Sequence, residues 1–207
     1  MKILNLYACL GGNRYKWGDE HEITAIELDP ELARMYKERF PNDTVIVTDA
    51  HQYLLDHYAE FDFIWTSPPC PTHSRARFAR KSTTTPCYPS MMLYEEILFL
   101  ENWFEGKWVV ENVIPYYEPL IAAQKIGRHL YWSNFRLPNF VARYIDIENG
   151  GIAHLEKFHE IDLSSYKGEQ PKNKIARNLV DFEAGKIILD TALGFMYKQN
   201  VEQTSLF

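Results

Sequence analysis

The chain has 207 residues, 46% hydrophobic and 14% aromatic, with a net charge of −6. That composition excludes a disordered chain and bounds the fold at one domain with a sizeable core, alone or with a small appendage. Three cysteines without framework spacing exclude a disulfide scaffold, and no apolar run approaches membrane length, so a reducing, cytoplasmic setting is expected.

Met1 to Leu10 is too quickly interrupted for a signal peptide. Lys2 to Ala8 alternates and then runs apolar, predicting a first strand closed by a turn at Gly11, Gly12 and Asn13. Glu22 to Leu28 predicts a second strand, closing on Glu27 and Asp29. Pro30 opens a helix to about Phe40, with Arg34, Lys37 and Arg39 toward its end. Thr44 to Val47 is a short β-branched strand, and Asp49 caps a helix to about Tyr58. The strand beginning at Phe61 is apolar on both faces and is stopped by Pro68 and Pro69. Cys70 therefore lies just beyond a strand's carboxyl end, where open α/β sheets place their ligands. Pro71 to Ser90 follows as a basic loop, Ser90 to Phe104 has helical spacing, and Lys107 to Glu111 is a buried strand ending on a carboxylate. This alternation predicts an α/β fold, a mostly parallel sheet with helices on both faces. Further on, Tyr131, Trp132 and Phe135 suggest short strands and Asn149-Gly150-Gly151 a turn. Leu179 to Tyr197 has the spacing of a last helix, followed by a flexible tail.

A free cysteine is more often a small buried hydrophobe than a nucleophile. Here Arg75, Arg77, Arg80 and Lys81 follow it within eleven residues, and nearby cations favour the thiolate, the attacking form. Pro71 to Ser90 and Pro119 to Ile145 each carry four cations and no acid. Such segregation predicts a local positive face, the footprint that phosphates need, on an acidic body. At the first strand, Leu10, Gly11 and Gly12 form a turn, and Glu27 ends the second strand as the acid that accepts from ribose hydroxyls. The three spaced glycines of a dinucleotide fingerprint and the Gly-Lys-Ser of a phosphate loop are both missing. An adenosyl ligand without a pyrophosphate fits better, with Asp49 placed to accept from an adenine amino group. Glu27 and Asp49 also suit plain strand-end or capping duty. Metal-ligand spacing is absent from the sequence, and no metal is expected.

In order, Tyr7-Ala-Cys-Leu-Gly-Gly12, Glu27-Leu-Asp29, Asp49, Pro68-Pro-Cys70 with His73-Ser74, Glu111-Asn-Val113 and Ala176-Arg-Asn178-Leu-Val180 form a set that resembles the DNA cytosine-5 methyltransferases. The resemblance runs from Met1 to about Val113 and resumes near Ile175. It implies a Rossmann-like, S-adenosylmethionine-dependent methyltransferase fold. It places Tyr7 against the adenine with Leu28 nearby, the Leu10, Gly11 and Gly12 backbone on the amino-acid moiety, Glu27 on the ribose, Asp49 on the adenine, and Asn178 closing the pocket. It makes Cys70 the nucleophile on cytosine C6, Glu111 the stabiliser of the adduct, and Arg128 the one plausible contact left of the family's arginine-rich motif. Ser74, Arg75, Arg77, Arg80 and Lys81 would hold DNA while the target base leaves the stack. Cys9 stands where the family usually has glycine.

The implied organisation is a cofactor-binding and catalytic core at 1–112, a reduced target-recognition region at 113–171, a segment returning to the core at 172–198 and a tail at 199–207. So small a recognition region implies short or relaxed sequence preference. The ending Gln203-Thr-Ser-Leu206-Phe207 is similar to the peptide by which bacterial proteins bind the β sliding clamp. Three rival readings remain. Thr66-Ser-Pro-Pro69 is similar to the motif of cytosine-N4 and adenine-N6 methyltransferases, although Cys70 replaces their stacking aromatic. A catalytically inactive DNA- or clamp-binding protein of the same fold is the second, and a free nucleotide as substrate is the third.

Overall fold

The computed structural model describes residues 1–83, 85–146 and 151–195. Its strands, β1 (Lys2–Leu6), β2 (Glu22–Glu27), β3 (Thr44–Val47), β4 (Phe63–Thr66), β5 (Lys107–Val113), β6 (Gln124–Ile126) and β7 (His129–Ser133), join in one sheet. The order is β3-β2-β1-β4-β5-β7-β6, parallel through β5, with β7 antiparallel to both neighbours. Strand order reverses between β1 and β4, so the crevice of an open sheet lies over their carboxyl ends.

The helices are α1 (Pro30–Arg39), α2 (Ala50–His57), α3 (Arg75–Ala79), α4 (Met92–Trp103), α5 (Gly151–His159), α6 (Lys172–Asn178) and α7 (Phe182–Ala192). Side chains alternate across each strand, so one apolar run feeds two cores. Leu4, Leu6, Ile64 and Val110 pack with Leu54 of α2 and with Leu93, Ile97 and Leu100 of α4. Ile3, Phe63, Trp65 and Val109 pack with Ala184, Ile188 and Leu189 of α7 on the opposite face. Helices thus cover both faces, as the sequence pattern requires.

Asp29 caps α1, accepting from the amides of Glu31 (2.9 Å) and Leu32 (3.3 Å), and Asp49 caps α2 through the Gln52 amide (2.8 Å). The turn after β1 is tied to the connection between α1 and β3 by a buried ion pair. Arg14 Nε and Nη2 lie 2.9 and 3.0 Å from the two oxygens of Asp43, with both side chains 2% exposed, and Tyr36 Oη donates to Asp43 at 2.8 Å. Asp43→Ala leaves the buried Arg14 guanidinium with only the longer contact to the exposed Asp19 (3.2 Å), and a loss of about 3–5 kcal/mol of unfolding free energy in urea is expected.

The structure departs from the sequence pattern in several places, among them β5, which runs past Glu111 to Val113. The basic stretch after Cys70 is not all loop: Ser74 accepts from the Ala76 amide and starts α3. The last helix begins at Phe182 and not at Leu179, because Asp181 caps it and Leu179 is extended. Phe135 falls outside β7, while Asn149 and Gly150 lie outside the described residues.

Candidate active site

Pro68 and Pro69 turn the chain out of β4, and Asn112 at the end of β5 holds that turn. Asn112 Nδ2 donates to the Pro68 carbonyl at 2.9 Å, while its Oδ1 accepts the Val113 amide at 2.9 Å. The amides of His73 and Ser74 then close on the Cys70 carbonyl at 3.0 and 3.1 Å. The asparagine of the Glu-Asn-Val motif is therefore a clamp between two strand ends, which its spacing alone did not reveal. Asn112→Ala leaves the buried Pro68 carbonyl unsatisfied, and a loss of about 1–3 kcal/mol in urea unfolding is expected.

β4 and β5 are neighbours, so the turn carrying Cys70 and the residue Glu111 share one end of the sheet. Glu111 is 6% exposed, and burial pushes its carboxyl up to about 7 against the pull of Ser67 and Arg128. Arg128, at the β6–β7 turn, interacts with both Glu111 and Cys70 and donates Nη2–H to the Arg177 carbonyl at 3.1 Å. His129 Nε2 is 3.6 Å from Glu111 Oε1; burial and Arg128 push this histidine down to about 3, so it is neutral. Neither His129 nor Lys174, which also acts on Cys70, was picked out in the sequence; both gain meaning only from the return of β7 and α6 to this corner.

The Cys70 thiol corrects one expectation. Burial first and the Glu111 charge second push it up, with Arg128 and Lys174 opposing. Arg75, Arg77, Arg80 and Lys81 are not what activates it. Arg75 Nε donates to the Pro115 carbonyl (3.0 Å), Arg77 Nη2 to the Thr85 carbonyl (2.7 Å), and Lys81 lies over the Phe78 ring. These residues, with Ser74, instead form a basic helical turn beside Cys70 on which Phe78 stacks against Tyr116 at 4.9 Å. The second basic stretch does not act as one face. Arg128 turns inward, and Arg143 binds Asp181 (2.8 and 2.6 Å) between the rings of Phe158 and Phe182.

The other half of the crevice lies over β1, β2 and β3. Glu27 is held by two amides, its Oε2 accepting from Cys9 (2.8 Å) and its Oε1 from Asp29 (2.9 Å). Burial still leaves its carboxyl above the ordinary value. Leu28 and Val47, next to it at the strand ends, are 66% and 51% exposed, and Asp49 is also exposed. Tyr7 has a φ of 56° and its hydroxyl donates to Glu96 at 2.5 Å. Burial and Glu27 push the Cys9 thiol up to about 12, which leaves it inert. The glycines serve the protein's own packing. At Gly11 a Cβ would sit 2.4 Å from the Phe40 ring at a φ of 67°, and at Gly12 it would sit 2.6 Å from the Val180 carbonyl. Leu10 is buried with them, and Asn178 is exposed at the end of α6, one residue before the segment that packs on Gly12. Gln203, Leu206 and Phe207 lie outside the described residues. Among the described residues no helix is long and apolar enough to cross a membrane.

A family model described as C-5 cytosine-specific DNA methylase matches residues 1–112, more than half of the chain. No curated protein matches it. The Entamoeba histolytica methyltransferase EhMeth superposes with a TM-score of 0.53 at 9% identity, over 94% of this chain and 98% of that one. A mutant of Spodoptera frugiperda DNMT2 matches with a TM-score of 0.39 at 24% identity, over 54% of this chain and 35% of that one. The architecture is the Rossmann-like methyltransferase fold.

Proposed function

The chain belongs to the C-5 cytosine-specific DNA methylase family, and from that premise we propose that it methylates C5 of cytosine in DNA through a covalent bond from Cys70 to C6. The observation that carries this reading is the gathering of Cys70, Glu111 and Arg128 at one end of the sheet, with a buried carboxyl that keeps its proton near neutrality.

The residues at the other half of the crevice fit S-adenosylmethionine. Glu27 offers a fixed carboxylate for ribose hydroxyls, and the exposed Leu28 and Val47 offer apolar surface that an adenine would cover. Tyr7 and Asp49 would bound the base, the Leu10–Gly12 backbone the amino-acid end, and Asn178 the outer edge. When bound, the cofactor supplies an electrophilic methyl group.

C5 of cytosine is too weak a nucleophile to take that group unaided. With its proton lost to solvent, the Cys70 thiolate adds to C6, the C5–C6 π pair shifts to the C4–C5 bond, the N3–C4 π pair moves onto N3, and N3 takes the proton that Glu111 carries. The resulting enamine is nucleophilic at C5. Arg128 balances negative charge on Cys70 before addition and on Glu111 after its proton has left. Once C5 carries the methyl group, its proton passes to solvent water, the C5–C6 double bond re-forms, the Cys70 thiolate departs and Glu111 recovers its proton from N3. The target base must first leave the stack at a cost of a few kcal/mol. The basic turn Ser74–Lys81 is suited to hold the flanking phosphates.

Short or relaxed sequence preference follows from the small recognition region, and the Gln203–Phe207 ending adds the β sliding clamp as a partner on sequence alone. The test is mass spectrometry of nucleosides from DNA incubated with the protein and S-adenosylmethionine. 5-Methyldeoxycytidine is expected. An N4- or N6-methylated product would transfer the protein to the amino-methyltransferases, and product on free nucleotide alone would remove DNA as the substrate.

A further inference from the structure

Glu96 on α4 is an acid where a helix would ordinarily carry an apolar side chain. Its side chain has no exposed surface, and it lies on the helix face that carries Leu93, Ile97 and Leu100. A carboxylate at that depth persists only when its oxygens are well partnered. Three donors from three separate segments fill it. Tyr7 Oη from the turn after β1 donates to Oε1 at 2.5 Å, His51 Nδ1 in the first turn of α2 lies 3.0 Å from the same oxygen, and Thr66 Oγ1 at the end of β4 donates to Oε2 at 2.6 Å.

The first two of those segments border the nucleoside half of the crevice, and the third leads to the turn that carries Cys70. Tyr7 is held in the left-handed region, where a tyrosine stays only if its surroundings fix it. His51 follows the capping residue Asp49 by two positions, and Thr66 precedes Cys70 by four. The hydrogen bond to Glu96 outweighs burial and raises the His51 pKa, so the imidazole is drawn toward its cationic form and balances the acid.

We propose that Glu96 is a positioning residue for the cofactor: its carboxylate ties the carboxyl ends of β1 and β4 to the start of α2, holding the Tyr7 ring where the bound nucleoside meets it. The proposal rests on the cofactor reading above and adds to it a residue that does not itself touch the ligand.

The test is calorimetric titration of the full chain with S-adenosylhomocysteine, for the wild type and for Glu96→Ala, Glu96→Gln and Tyr7→Phe. Near-ultraviolet circular dichroism and the urea midpoint of each variant establish its folded fraction. Glu96→Ala is expected to weaken binding about tenfold or more in the folded protein, the scale of a lost charged hydrogen bond. Glu96→Gln should recover most of that, because its side-chain oxygen still accepts from Tyr7 and its amide can donate to the Thr66 hydroxyl. Tyr7→Phe keeps the ring but removes the tether and should weaken binding several-fold. If Glu96→Ala does not fold, the other two variants decide the matter. Wild-type affinity in Tyr7→Phe, or no recovery in Glu96→Gln, overturns the proposal alone. A wild-type chain that does not bind overturns the cofactor reading, and the proposal with it.

Discussion

Cys70→Ala is expected to reduce formation of 5-methyldeoxycytidine at least about a thousand-fold while leaving S-adenosylhomocysteine binding unchanged. Removing a covalent nucleophile has effects of that size or larger. In the proposed reading the cofactor occupies the half of the crevice over β1 to β3, which makes no use of the thiol. The two shielded cysteines, Cys9 and Cys70, differ in their surroundings. Cys9 is pushed up to about 12 and its own amide is engaged with Glu27, whereas the rise at Cys70 is opposed by Arg128 and Lys174. Part of that rise comes from the Glu111 charge, so protonating Glu111 removes one of the two causes that keep Cys70 as a thiol. A chemical trap gives the second readout. In DNA carrying 5-fluorocytosine the last step is blocked, because fluorine cannot leave C5 as a proton does, and the enzyme should remain attached through C6. The wild type should then show a denaturation-resistant protein–DNA band, and Cys70→Ala should show none. Methyl transfer or trapping that survives the substitution would remove Cys70 as the nucleophile.

Much of this site could be read from the chain because its strands are short and buried on both faces. Ile3–Leu6, Phe63–Thr66 and Trp108–Val110 are runs whose ends are marked by Gly, Pro or a carboxylate, so Cys70 could be assigned to a strand end from sequence, whereas β5 runs on to Val113 and leaves Glu111 two residues inside it. What could not be read depends on where side chains go. The four cations after Cys70 look like its activators in sequence, yet Arg75 and Arg77 bond to backbone carbonyls and Lys81 to a ring. Arg143 counts toward a basic window but neutralises Asp181. Glu96 stands beside Glu95, and only the packing of α4 shows that one faces solvent and the other three donors. The glycines of the first turn are legible as a turn, whereas the crowding of that turn by Phe40 and Val180 is visible only in the packing.

The pH dependence separates Glu111 from Cys70. Glu111 rises from an ordinary 4.5 to about 7 because it is buried, and Cys70 is raised as well. In the proposed mechanism the reactive form has the Glu111 proton on and the Cys70 proton off. Below pH 7 Glu111 is protonated and the thiolate fraction grows tenfold per pH unit, so kcat/KM should rise. Above about 7 loss of the Glu111 proton offsets the gain in thiolate, and the rate should level until Cys70 itself ionises, then fall. The acid-side break near 7 therefore reports Glu111, although the group whose ionisation drives the rise is the thiol. In Glu111→Gln the break near 7 should vanish, leaving a rate that is lower throughout and climbs up to the pKa of Cys70. The stability sign is fixed by the same residue. Between 4.5 and about 7 the folded chain holds the Glu111 proton and the unfolded chain does not, so stability at this residue falls as pH rises across that window. Glu111→Gln lacks that penalty. Relative to the wild type it should gain about 3 kcal/mol in urea unfolding between pH 4 and pH 8. A wild-type kcat/KM profile with no break between pH 6 and 8, or a Gln variant that keeps the break, would assign the titration to another group and take from Glu111 its role as the proton donor to N3.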